Sequence, residues 1–146
     1  MADRSPLTYT FYIAAPPEKV SEGFTSQESN RVIVMGAELK ADFKQGGEIA
    51  WMGPGKDGKI TRYVYGKILR SDPPKVLQYT FATSQSERFS RATVELTPET
   101  EATKVVVTHD EWADDDPNYG FCGDGWPRIL SRLKTLIETG KTFKPH

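Results

Sequence analysis

Two side chains in this sequence have the chemistry to serve as a base or a nucleophile near neutral pH, His109 and Cys122, and both lack the usual companions. His109 lies near the end of an alternating run, Thr103 to Trp112, in phase with Val105 and Val107 and followed by Asp110 and Glu111. That phase points inward. A histidine there is ordinarily a hydrogen-bonded structural residue; the functional alternative is a polar group in a cyclase- or hydrolase-type cavity, for which His109 is the catalytic candidate. The other histidine, His146, ends the sequence. Cys122 sits in Phe121-Cys122-Gly123 without an adjacent lysine or arginine to lower its pKa, so it reads as an incidental thiol. One cysteine and one internal histidine do not make a common zinc set, and no nucleophile elbow or phosphate loop is present. No metal or other cofactor is expected. The run Asp114-Asp115-Asp116 reads as a solvated loop, with contact to a basic protein partner as the alternative.

Overall charge removes further classes. The formal net charge is −1 with both signs interspersed, which leaves no field to hold a nucleic acid. No apolar run is long enough for a membrane span. The start, Met-Ala-Asp-Arg-Ser-Pro, lacks the apolar segment of an export signal, and a lone cysteine cannot form an internal disulfide, so a cytoplasmic setting is expected. At 146 residues the chain has the length of one domain, 1–146, with its own core.

The elements that must position these residues follow from periodicity. Leu7 to Ala14 alternates as a strand, with Tyr9, Phe11 and Ile13 on one face. Pro16-Pro17 ends it. Pro17 to Phe24 reads as a short helix with proline in its first turn, and Thr25 to Asn30 as a second short helix or a loop. Strands are predicted over Ala37 to Phe43, Glu48 to Met52, Lys59 to Arg70, Val76 to Thr83, Phe89 to Thr97 and Thr103 to Trp112. Short connections between them imply an antiparallel meander. Trp126, Ile129, Leu130, Leu133, Leu136 and Ile137 recur at helical spacing, which predicts a long C-terminal amphipathic helix. Asp124 is its expected N-cap and Gly140 its stop, with Arg128, Arg132, Lys134 and Glu138 mostly on the outer side.

Alternation then assigns an interior. Leu77, Tyr79 and Phe81 share one face, as do Ala92, Val94 and Leu96, and Val105, Val107 and His109. In the strand from Lys59 either Tyr63 and Tyr65 or Gly66 and Ile68 point inward, and alternation does not decide which. The interior expected from this pattern is rich in aromatics, and two readings stay open: a filled aromatic core, or a cavity for a small apolar or aromatic molecule.

The segments Phe11-Tyr12-Ile13-Ala14-Ala15-Pro16-Pro17-Glu18-Lys19-Val20, Gly46-Gly47-Glu48-Ile49-Ala50-Trp51, Tyr65-Gly66-Lys67-Ile68, Asp72-Pro73-Pro74, Leu77-Gln78-Tyr79-Thr80-Phe81 and Gly125-Trp126-Pro127-Arg128-Ile129-Leu130, in this order, resemble the SRPBCC superfamily (START or Bet v 1-like). More closely, they resemble its branch of bacterial homologues of the activator of Hsp90 ATPase. The resemblance covers nearly the whole chain and implies an α+β helix-grip fold: a curved antiparallel sheet of about seven strands around a long C-terminal helix, with two short helices after the first strand. It also implies an internal cavity beside Trp126, with Phe11, Trp51, Tyr63, Tyr65, Tyr79, Phe81, His109, Trp126 and Leu130 as its expected ligand-binding lining. A co-chaperone-like interaction with a protein partner is the other role implied. The segment Thr25 to Met35 lacks the tryptophans that many members of this branch carry there, so that wall of a pocket is expected to be open or built differently.

Overall fold

Alternating apolar and polar residues, punctuated by glycine and proline turns, build seven strands and three helices in the computed structural model, which describes residues 4–34 and 36–144. Met1 to Asp3 of the N-terminal segment read above, Met35 at the end of the segment from Thr25, and His146 lie outside the described residues. The elements are β1 (Leu7–Ile13), α1 (Pro17–Thr25), α2 (Gln27–Ile33), β2 (Glu38–Ala41), β3 (Glu48–Pro54), β4 (Ile60–Asp72), β5 (Val76–Thr83), β6 (Ser86–Glu99), β7 (Ala102–Asp110) and α3 (Asn118–Thr139). The strands form one antiparallel sheet in the order β1-β7-β6-β5-β4-β3-β2. Neighbours in sequence are neighbours in the sheet, as short connections require, except that β1 pairs with β7, Leu7 opposite His109. This is the α+β helix-grip arrangement. Among the described residues no helix is long and apolar enough to cross a membrane.

The inner face carries the core. Ile13, Tyr79, Phe81, Ala92, Val94, Leu96, Val105 and Val107 are buried, each on the phase that alternation assigns to it. In β4 the question left open by the sequence resolves toward Gly66 and Ile68, both buried, while Lys67 between them is exposed. Gly66 is a close-approach glycine: a Cβ at this position would lie 1.8 Å from the Thr80 carbonyl oxygen of β5. Next to it the Lys67 N–H donates to Thr80 Oγ1 at 2.8 Å.

α3 corrects the expected start. It begins at Asn118, well before Trp126, and Asp124 lies inside it as an exposed residue paired with Arg128. Its first turn is held by Asp116, whose Oδ1 accepts the Asn118 N–H at 2.9 Å, with Pro117 between them. The buried stripe therefore starts earlier, at Asn118 and Cys122, and continues through Trp126, Leu130 and Leu133. Gly140 does end the helix, in the left-handed conformation, with its N–H on the Leu136 carbonyl. Arg132, placed on the outer side by its type, is buried; its Nε donates to the Ile33 carbonyl at 3.0 Å and ties α3 to the end of α2. On the α1 side the helices meet at Gly23, where an added Cβ would come within 2.8 Å of Leu133 Cδ1.

Candidate functional site

His109 lies near the C-terminal end of β7, opposite Leu7 of β1 and Ala92 of β6, in the middle of an aromatic cluster, and is completely buried. Its ring stacks on Trp112 with centroids 4.1 Å apart and meets Phe81 edge-on at 4.7 Å. Trp126 Nε1 donates to His109 Nδ1 at 2.9 Å. The indole nitrogen is a donor only, so Nδ1 is the acceptor and the ring proton sits on Nε2. From there it reaches Ser90 Oγ at 2.7 Å, and Ser90 in turn donates to the Phe81 carbonyl at 3.3 Å. Burial pushes the His109 pKa down to about 3, against a smaller upward pull from Asp110. The ring is neutral, both nitrogens are occupied, and neither faces a solute. In this geometry both ring nitrogens of His109 are engaged by core partners.

The other expected lining residues divide between three places. Trp51, Tyr79, Phe81, Trp126 and Leu130 are buried in the same core cluster, and Phe11 packs half-buried against it. Trp51 and Tyr79 stand 5.6 Å apart, and the Trp51 N–H is capped by Asn30 Oδ1 at 2.9 Å. Asn30 spends its own amide protons on the Phe24 and Ser26 carbonyls, which fixes the α1–α2 turn. Tyr65 lies apart, edge-on to the exposed Phe89 and under the Arg62 guanidinium. Tyr63 is half-buried and donates its hydroxyl to the Pro54 carbonyl at 2.7 Å. Trp126 thus packs against His109 within this cluster.

Cys122 faces the same interior. Burial first and the Asp116 carboxylate second push its thiol up to about 12, so it carries no thiolate at neutral pH. Burial likewise raises the Tyr79 hydroxyl above its ordinary value. Asp116 departs from the solvated run expected for it: it is fully buried, while Asp115 pairs with Arg88 at the surface. Asn118, held by Asp116 through its N–H, accepts from Thr83 Oγ1 at 2.8 Å.

Open space lies at the opposite end of the sheet's inner face. An apolar pocket of about 240 Å³, open to solvent on one side, lies between α1, the β4–β5 turn, β6 and the loop after β2. Phe24, Phe43, Val76, Leu77, Val94 and Leu96 form its walls, and Ser21, Thr25, Ser71, Pro73 and Pro74 complete it. Leu77 and Val94 are paired across β5 and β6. Tyr79 follows Leu77 on the same face, so the pocket floor leads along the sheet toward Tyr79 and Trp51. No residue of this lining appears in the expected set. Phe24, Leu77, Val94 and Leu96 carry the periodicity of ordinary core residues, and only the packing of α1 against the Pro73-Pro74 turn makes them a wall.

A comparison with curated protein sequences gave no match. Among solved structures, a Cytophaga hutchinsonii protein determined in solution superposes with a TM-score of 0.78 at 25% identity, over 96% of this chain and 98% of that one. An HSP90 activator from Plasmodium falciparum gives 0.75 at 18% identity, over 90% and 95%. The Aha1 dimer from Colwellia psychrerythraea gives 0.75 at 20%, over 94% and 99%. At these identities the latter two share the fold. The family model for Activator of Hsp90 ATPase homolog 1-like protein matches residues 14–138, from the end of β1 almost to the end of α3. The chain belongs to the Activator of Hsp90 ATPase homolog 1-like protein family, within the SRPBCC superfamily whose helix-grip fold it shows.

Proposed function

We propose that this protein binds a small apolar or aromatic molecule in the pocket between α1 and the β4–β5 turn. The observation that carries the reading is the pocket itself, about 240 Å³ of space walled by Phe24, Phe43, Leu77, Val94 and Leu96. A dry apolar cavity of roughly 150 Å³ accommodates benzene, so this one suits a body of about ten heavy atoms, such as an indole, a naphthalene or a short branched chain. Its lining contains no histidine, cysteine, lysine or carboxylate, which favours binding over catalysis. Titration with indole and naphthalene, followed by amide chemical shifts, tests it. Saturable shifts at Phe24, Leu77 and Val94, abolished by Leu77→Trp, are expected. The absence of any saturable shift at these residues refutes it.

A second reading, contact with a chaperone, is supported by the family to which the chain belongs. Stimulation of an Hsp90-type ATPase by the purified protein would favour it. No stimulation at saturating protein would count against it.

A further inference from the structure

We infer that the pocket's ligand carries a cationic nitrogen: an alkyl- or arylammonium whose apolar end fills the space among Phe24, Leu77 and Leu96 and whose head stops at Glu18 and Glu22. The inference rests on the pocket being the ligand site. Ser21, Thr25, Pro73 and Pro74 line the pocket and also a shallow outer depression, so the two are continuous through this mouth. The depression adds Glu18 and Glu22. They stand four apart on α1 and hence on one face, beside each other at the opening.

Like charges at this spacing repel weakly, and a cation held between them relieves the repulsion. No ion pair among the described residues supplies one. The ion pairs among the described residues use Asp42, Asp72, Asp110, Asp115, Asp124 and Glu138, and neither Glu18 nor Glu22. No lysine, arginine or histidine lines the pocket or its mouth. The hydroxyls point to the same class of head. Thr25 Oγ1 spends its proton on the Ser21 carbonyl at 3.2 Å, which leaves its lone pairs to accept. The rim is therefore rich in acceptors, and an ammonium group, with three donors and no acceptor, complements it. A fatty or aromatic carboxylate would meet two negative charges at the same place.

Matched probes test this: 2-phenylethylamine, 2-phenylethanol and 3-phenylpropionate share an apolar body and differ in the head. Exposed ion pairs are individually weak, so the amine is expected to bind roughly three- to tenfold tighter than the alcohol, with the carboxylate weakest and the spread shrinking in high salt. In the Glu18→Gln/Glu22→Gln double variant, whose changes are at the surface, the amine's advantage disappears while alcohol binding is unchanged. Equal binding of amine and alcohol to the wild type, or an amine preference that survives the double variant, overturns the cationic head and leaves the pocket reading standing. No saturable shift of pocket amides with any of the three overturns both.

Discussion

The buried histidine makes the stability of this protein depend on pH in a direction that can be worked out. His109 has an ordinary value of 6.5 when exposed in the unfolded chain and is held at about 3 in the folded one. Above pH 6.5 both states carry a neutral ring, and the histidine contributes no pH dependence. Below it the unfolded chain takes up a proton that the folded chain refuses, so stability falls as the pH is lowered toward about 3. One proton corresponds to about 1.4 kcal/mol per pH unit, or about 2 kcal/mol between pH 6.5 and pH 5. Urea unfolding of the wild type and of His109→Gln, each at pH 7 and pH 5, isolates this from the carboxylates common to both. The variant is expected to start lower, because Trp126 Nε1 and Ser90 Oγ lose their partner, and to lose about 2 kcal/mol less on acidification. Imidazole nitrogen spectra of the wild type give a readout independent of the variant's folding: Nε2 protonated, Nδ1 bare, and no titration above pH 5. A His109 midpoint near 6.5 in the folded protein, or a proton on Nδ1, would refute the reasoning.

Three further outcomes are expected. Gly66→Ala forces the backbones of β4 and β5 apart at Thr80 and should cost about 2–3 kcal/mol, read as a lower urea midpoint; unchanged stability would mean that the close approach is not required. Trp51→Phe strands the buried Asn30 Oδ1 and should cost about 1–3 kcal/mol by thermal unfolding; a melting temperature equal to the wild type's would remove the Trp51–Asn30 bond from the account. Cys122 should resist iodoacetamide at pH 8 in the folded protein and react fully in urea, since burial both shields the thiol and keeps it protonated. Equal labelling in the two states, followed by mass spectrometry, would contradict its placement.

Much of the architecture was legible because one face of each strand is buried. The inward phase of β5, β6 and β7 follows directly from alternation, and Gly140 gives the end of α3 its usual signal. The start of α3 was hidden by Gly120, Gly123, Gly125 and Pro127, which read as loop and first turn. The stronger signal was the Asp116-Pro117 cap, together with Cys122 four residues before Trp126 in the buried stripe. β4 remained undecided until packing placed Gly66 against Thr80, since tyrosine faces and glycine faces alternate equally well. The site was far less legible. His109 is defined by Ser90 of β6, Trp112 of the loop after β7 and Trp126 of α3, and no spacing rule links the three. The pocket depends on where α1 settles over the Pro73-Pro74 turn, a tertiary property of residues that look like core.

The pairing of β1 with β7 also governs when the molecule can form. The strands from β2 to β7 each lie beside the next in sequence and can zip together through short hairpin loops. β1 cannot: its partner β7 comes six strands later in the sequence, so β1 stays unpaired until β7 has been made. The same late step brings α3 down, because Lys134 Nζ donates to the Tyr12 carbonyl and Glu138 accepts the Ala14 N–H. Closure of the sheet and docking of the helix are thereby joined through the same long-range contacts, whose formation carries the loop-closure entropy of the intervening chain.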